Sequence, residues 1–229
     1  MMRATSRAGS NTRASRAGLV GGVMLVSLVS VAAFSIHPEV RAARELADKV
    51  TRGRQVVLEH GCGDCHGGGG NPASPEWLSG MRHPEIQETQ VGPFKTRPRN
   101  LTPDNTTGLG RFSERQIFNA IRYGLRPGET PDVEITSTVP GKGNFPLTPK
   151  YLAIPMPWPV FRHMPDEDIW AIAAYLKHAV KPVVNQVPDS EGPPDFWASE
   201  YTVEKIGSYP AAAFPTANEV VPKQAVGAR

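Results

Sequence analysis

Residues 62–66 read Cys62-Gly63-Asp64-Cys65-His66. Two cysteines separated by two residues, with a histidine directly after, is the spacing that attaches c-type haem. The two thiols add across the haem vinyl groups, and the imidazole of His66 then stands under the iron as proximal ligand. The motif uses both cysteines of the 229-residue chain, so no disulfide competes for them. A structural zinc site needs further Cys or His at paired spacing, and a thioredoxin-like redox pair needs a βαβ context. The sequence offers neither.

Covalent haem attachment takes place outside the cytoplasm, and the N-terminus reads as an export segment. Residues 1–17 carry Arg3, Arg7, Arg13 and Arg16 with no acid, a basic n-region on the cytoplasmic side. Residues 18–36, Gly18 through Ile36, are uncharged and largely apolar. The run exceeds an ordinary signal h-region and approaches the ~20 residues that cross a bilayer. The expectation is an anchor that leaves the remaining chain on the periplasmic side of a bacterial cytoplasmic membrane. A cleaved signal peptide, with Val31-Ala32-Ala33 or Val40-Arg41-Ala42 as the cleavage site, is the alternative and gives a soluble periplasmic protein. The formal charge of +3 arises in this segment. Without Arg3, Arg7, Arg13, Arg16, Arg41 and Glu39 the net charge is −1, which gives nucleic acid nothing to bind. Residues 37–46 read as a linker, 47–182 as one domain and 183–229 as a proline-rich extended tail.

Three helices are legible in that domain. The first runs from about Ala47 to His60, with Val50, Val57 and Leu58 as its apolar stripe and Gly61 as its stop. The second begins at Ser113, where Ser113 and Gln116 have the spacing of a capping box. Ile117, Ala120 and Ile121 repeat at helical spacing before Gly124 ends it. The third covers about Asp166 to Ala179, with Ile169, Ile172, Ala173 and Leu176 at i, i+3, i+4 and i+7. Asp166, Glu167 and Asp168 in its first turn and Lys177 and His178 in its last complement the helix dipole. No alternating strand pattern is apparent, so the fold class is all-α. The 23 prolines and 22 glycines supply long loops around the helices.

Several stretches together resemble a known family: the monohaem, class I-like cytochrome c domains of bacterial exported proteins. The resemblance covers about residues 48–182. It rests on the Arg-Gly-Arg helix before Gly61-Cys62-Gly63-Asp64-Cys65-His66-Gly67, on Asn100-Leu101-Thr102-Pro103-Asp104 with Thr107-Gly108-Leu109-Gly110, and on Pro155-Met156-Pro157-Trp158. Met164-Pro165-Asp166-Glu167-Asp168-Ile169 and a helix ending Ala174-Tyr175-Leu176 complete it. The resemblance implies one covalently bound haem, N- and C-terminal helices crossing beside it, and a methionine supplied as sixth ligand by the loop before the last helix. Pro165 departs from the family, which usually caps that helix with Ser or Thr; proline nevertheless fits a first turn.

Met81, Met156 and Met164 lie outside the export segment. Met156 stands between two prolines that restrict its backbone, a good platform for a weak thioether ligand, and is the expected sixth ligand. Met164 has the place of a hydrophobic staple onto Ile169. Met81 sits in a loop beside His83. A bis-histidine site, with His163, His83, His60 or His178 as donor, is the rival. Arg97, Arg99 and Asn100 read either as partners of the haem propionates or as solvated loop residues, and Trp158 as packing on the porphyrin edge or anchoring its loop. Gly67 to Gly70 lack the lysine and strand of a phosphate loop; their role is close backbone approach to the haem face.

Histidine–methionine ligation fills both axial positions and raises the potential relative to two histidines. The expectation is therefore an electron-transfer protein rather than an enzyme: a one-electron carrier or the haem subunit of a respiratory or dehydrogenase complex, with a redox-protein donor and acceptor. The alternatives are a haem enzyme or gas sensor with an open distal site, and a subunit that binds its partner through the 183–229 tail.

Overall fold

The computed structural model describes residues 37–193 and 197–221. The export segment and its expected membrane span lie outside these residues. Among the described residues, no helix is long and apolar enough to cross a membrane.

Helix α1 (Pro38–Glu59) crosses α6 (Asp166–His178), and this pair frames the molecule. The helices approach so closely at Gly53 that a Cβ there would lie 1.9 Å from the Ala171 carbonyl oxygen and 2.8 Å from the Tyr175 Cβ. Val56 and Val57 from α1 and Ile169, Ile172, Ala173 and Leu176 from α6 then bury their side chains in one core. Full burial of a valine- or leucine-sized side chain contributes about 1.5–3 kcal/mol relative to exposure. Helix α4 (Glu114–Tyr123) packs Ile117, Phe118 and Ile121 into the same core. Phe118 stacks on Trp170 with ring centroids 4.5 Å apart.

The capping box expected at Ser113 is present: the Ser113 hydroxyl accepts from the Gln116 amide, and the Gln116 side chain accepts from the Ser113 amide. Gly124 closes α4 with φ +67. Pro165 serves as the N-cap of α6 without any side-chain hydrogen bond, while Met164 packs against the core that holds Ile169, as a staple should.

Two findings depart from the sequence reading. Helix α1 starts at Pro38, so residues expected to form a linker over 37–46 are helical. Residues 37–49 are all exposed, which is why no apolar stripe reveals them. Pro38 in the first turn, helix-forming Ala and Leu, and an Arg41–Glu45 pair at 2.9 Å supply the local preference instead. The other departure is a small antiparallel hairpin, β1 (Thr89–Val91) and β2 (Phe94–Thr96), in which Thr89 pairs with Thr96 and Val91 with Phe94. Strands of three residues are too short to display a period of two. Among the described residues, the short helices α2 (Cys62–His66), α3 (Pro84–Gln87), α5 (Trp158–Phe161) and α7 (Val203–Ile206) and two 3-10 turns, Pro127–Glu129 and Ala198–Glu200, join these elements.

Arg52 ties the crossing pair together through a two-pronged bond to Asp168, Nε to Oδ1 at 2.6 Å and Nη2 to Oδ2 at 2.8 Å. The hydrogen bond from Arg52 is the main cause holding the Asp168 carboxyl below its ordinary value of 3.8, with the guanidinium charge adding to it. The pair therefore stabilises the fold above that value and loses its contribution as pH falls through the depressed folded-state value. Asp168→Asn should lower stability at neutral pH, and the gap to the wild type should narrow in unfolding curves as pH is taken progressively below the ordinary aspartate value. Gly53→Ala should cost on the order of 1–3 kcal/mol or prevent maturation, read from denaturant midpoints and recovered yield.

Candidate functional site

The 62–66 motif is a one-turn helix, entered through Gly61 at φ +61 and left through Gly67 at φ +102. One turn places Cys62 and Cys65, at i and i+3, on the same helix face. Both cysteines are free thiols. Burial pushes the Cys62 thiol up to about 11, so it stays protonated at neutral pH.

Backbone contacts from two later segments fix the motif. The Gly80 amide donates to the His66 carbonyl at 2.8 Å, and the Leu78 amide to the Gly67 carbonyl at 3.0 Å. From the other segment, the Arg99 carbonyl accepts a hydrogen bond from His66 Nδ1 at 2.7 Å. A carbonyl can only accept, so Nδ1 carries the proton and Nε2 keeps its lone pair. Burial lowers the pKa of His66, against the smaller opposing effect of the Arg99 carbonyl, and the ring is neutral at physiological pH. A neutral imidazole with one nitrogen tied to a backbone carbonyl is a ready metal ligand.

The glycines around the motif accommodate close backbone approach. A Cβ on Gly63 would lie 2.1 Å from the Gly69 carbonyl oxygen and 2.4 Å from the Trp77 ring. Trp77 is held in turn by its Nε1 donating to the Tyr175 hydroxyl at 2.9 Å, which connects the motif to α6. An open hollow of about 350 Å³ beside the motif is lined by Gly63, Gly67–Gly69, His83 and Ile86, among others. Neither His66 nor Met156 lines it.

The model for the family described as "Cytochrome c" matches residues 50–179, more than half of the chain. The chain belongs to the cytochrome c family. The cytochrome c subunit of the quinone-dependent alcohol dehydrogenase of Gluconacetobacter polyoxogenes is 35% identical over 92 residues, covering 40% of this chain and 15% of that protein. The gluconate 2-dehydrogenase cytochrome c subunit of Pantoea cypripedii is 30% identical over 146 residues, 63% of this chain and 26% of the relative. The fructose dehydrogenase cytochrome subunit of Gluconobacter japonicus is 25% identical over 171 residues, 75% and 29% respectively. This chain thus spans under a third of the length of these curated relatives. They are named as cytochrome subunits of dehydrogenases, and the cytochrome c domain implies covalently bound haem c.

The residues present fit that group: two free thiols lie on one turn of helix, and the imidazole beside them keeps a free Nε2. On the other side of the sequence, Trp158 buries its Nε1 without a hydrogen bond of full geometry; the Tyr201 hydroxyl is the polar group beside it.

The methionines differ in surroundings. Met81 is buried at 6% exposure, and Met164 packs on the main core. Met156 is half-buried, in a loop that belongs to neither hydrophobic core cluster. The histidines proposed as rival donors all have protein partners. His60 Nδ1 meets the Val56 carbonyl at 2.9 Å, His178 Nε2 meets Glu114 at 2.6 Å, and His163 Nε2 accepts from Arg162 Nε at 3.3 Å. His83 lies 3.6 Å from both Glu76 and Glu85.

Arg97 is not a solvated loop charge, whereas Arg99 stays 48% exposed while anchoring the tail. Arg97 is 8% exposed and bonds Glu88 and Glu191, while Arg99 bonds Asp189 and the carbonyls of Val187 and Pro188. Asn100 is buried, bonding the Val183 carbonyl at 2.8 Å and Thr107 at 3.0 Å. All three thus hold the start of the tail. Sequence reasoning missed this role because the tail's acceptors are largely carbonyls, which leave no trace in residue identity. It also missed the Arg99 carbonyl at His66 and the buried Arg122 and Arg162.

Gly63→Ala should lower the amount of haem bound per polypeptide, measured by pyridine haemochrome absorbance against protein concentration. Gly69 and Gly70 meet nothing within 4 Å of an added Cβ. Gly70→Ala should therefore load normally.

Proposed function

We propose that the domain binds one haem c through Cys62 and Cys65, with His66 and Met156 as axial ligands, and passes single electrons within a membrane-associated dehydrogenase complex. The observation that carries the reading is His66 held by the Arg99 carbonyl with its Nε2 free, immediately beside two free thiols. Haem supplies a one-electron couple. Every other task falls to the chain. Cys62 and Cys65 hold the group covalently, and His66 faces it as a neutral, oriented imidazole. The Arg99 carbonyl, by accepting from Nδ1, strengthens the donor character of the ring. Met156 offers a soft thioether that favours the ferrous state and raises the potential. With His66 and Met156 as its two protein ligands, a bound haem would have no open position for a substrate, which suits a carrier.

The kinship with cytochrome subunits of alcohol, gluconate and fructose dehydrogenases supports a dehydrogenase as the electron donor. The basic, then apolar N-terminus supports a location on the outer face of the cytoplasmic membrane. Part of the described tail packs on its own domain, with Val187 and Trp197 buried, while Val184, Val203, Phe214, Val220 and Val221 are exposed.

Denaturing the protein in acidified acetone should leave haem on the polypeptide, and extraction of free haem would end the thioether assignment. Met156→Ala should abolish the weak near-red sulfur-to-iron band and lower the midpoint potential. Met164→Ala should cost packing of about 1–3 kcal/mol with the potential nearly unchanged. A Met164→Ala protein that alone lost the band would reverse the assignment. Intact mass of the haem-loaded chain distinguishes an anchored protein from one released by cleavage.

A further inference from the structure

We propose that Tyr201, on the C-terminal tail, is a positioning residue for Met156: it clamps both ends of the loop that presents the thioether. This rests on the reading of Met156 as the distal ligand. Between Leu152 and Trp158 the backbone makes only local bonds, Met156 N–H to the Ala153 carbonyl at 2.9 Å and Trp158 N–H to the Met156 carbonyl at 2.8 Å. The loop is therefore held at its ends. At the first, the Leu152 amide bonds the Gly124 carbonyl at 2.6 Å. At the second, the Trp158 indole lies against Gly124, where a Cβ would come within 2.2 Å of the ring.

Tyr201 touches both. Its hydroxyl donates to the Leu152 carbonyl at 3.3 Å. Its ring meets Trp158 edge-on at 4.7 Å and Tyr151 edge-on at 5.1 Å. Trp158 and Tyr151 are themselves stacked at 5.7 Å. The tail beyond Tyr201 is fastened to the same segment. The Arg162 guanidinium, 6% exposed, donates to the carbonyls of Ile206, Gly207 and Ser208. Arg122, 2% exposed, reaches the carbonyls of Arg162 and Met164 and the Asp166 carboxylate. The Tyr209 ring lies 4.8 Å from the Arg122 guanidinium and 5.8 Å from that of Arg162. Polar and aromatic contacts thus bind residues 201–209 of the tail to the 151–164 segment and to Arg122.

An aromatic cluster that merely fills the core would add to global stability and nothing else. A clamp has a further property: it sets the balance between Met156 on and off the iron. An external ligand that takes the sixth position binds only the off state, so its apparent affinity rises with that population. Imidazole reports this directly.

The test uses the full-length, haem-loaded ferric protein, titrated with imidazole while the sulfur-to-iron band is followed, with midpoint potentials measured alongside. Tyr201→Ala should tighten imidazole binding by roughly tenfold and lower the potential. Tyr201→Phe, which keeps the ring, should shift affinity by much less. Asp168→Asn, destabilised at the crossing of α1 and α6 without touching Tyr201, Tyr151 or Trp158, should bind imidazole like the wild type. Wild-type affinity in Tyr201→Ala would overturn the proposal, as would an equal gain in Asp168→Asn. Should Tyr201→Ala fail to load haem, Tyr201→Leu is read in the same way. A wild type with no band, and with the imidazole affinity of Met156→Ala, would instead reject Met156 as ligand and the clamp with it.

Discussion

The contact at Gly53 governs the architecture. No residue with a side chain fits between α1 and the Ala171 carbonyl, so this one position sets how deeply the two helices cross. The buried valines of α1 and the isoleucines of α6 meet only at that depth. Tyr175, one turn beyond Ala171 on α6, then reaches Trp77 with its hydroxyl, and Trp77 backs onto Gly63 in the 62–66 motif. A short chain of contacts therefore runs from the helix crossing to the cysteines. The Arg52–Asp168 pair, on the same two helices, reinforces the crossing without defining it.

Legibility followed periodicity. Helices α4 and α6 were readable because their apolar residues recur at helical spacing, and Ser113, Gln116 and Gly124 punctuate α4 by local chemistry alone. The exposed half of α1 carries no such record, since residues 37–49 bury no side chain among the described residues, and its sequence shows no apolar stripe. The 89–96 hairpin was hidden by strands too short to alternate. At the candidate site, Cys62, Cys65 and His66 were legible from spacing, and the structure adds the Arg99 carbonyl that orients the imidazole. Nothing in the identity of residue 99 could announce it, because the contact is made by the main chain.

Arg97, Arg99, Arg122 and Arg162 share a pattern. Each guanidinium finds backbone carbonyls; those of Arg97, Arg122 and Arg162 are buried, while Arg99 stays exposed. Five fixed donors suit an arginine to several carbonyls at once. Asp189, Glu191, Glu88 and Asp166 complete three of the four sets, while Arg162 has carbonyls and the His163 ring. Burial lowers the pKa of Arg162, yet a guanidinium remains protonated across the physiological range.

Recognition through carbonyls also shapes how this region can diverge. Arg162 binds residues 206–208 by atoms that every amino acid possesses, so side chains there are free to drift while the attachment persists. The constraint falls on the receiving side, at Arg162 and Arg122, and on the tail's backbone path rather than its residues. Sequences diverging from this one could retain the strap while sharing almost no identity over it. Alignment would then score as unrelated a segment whose course over the domain is unchanged.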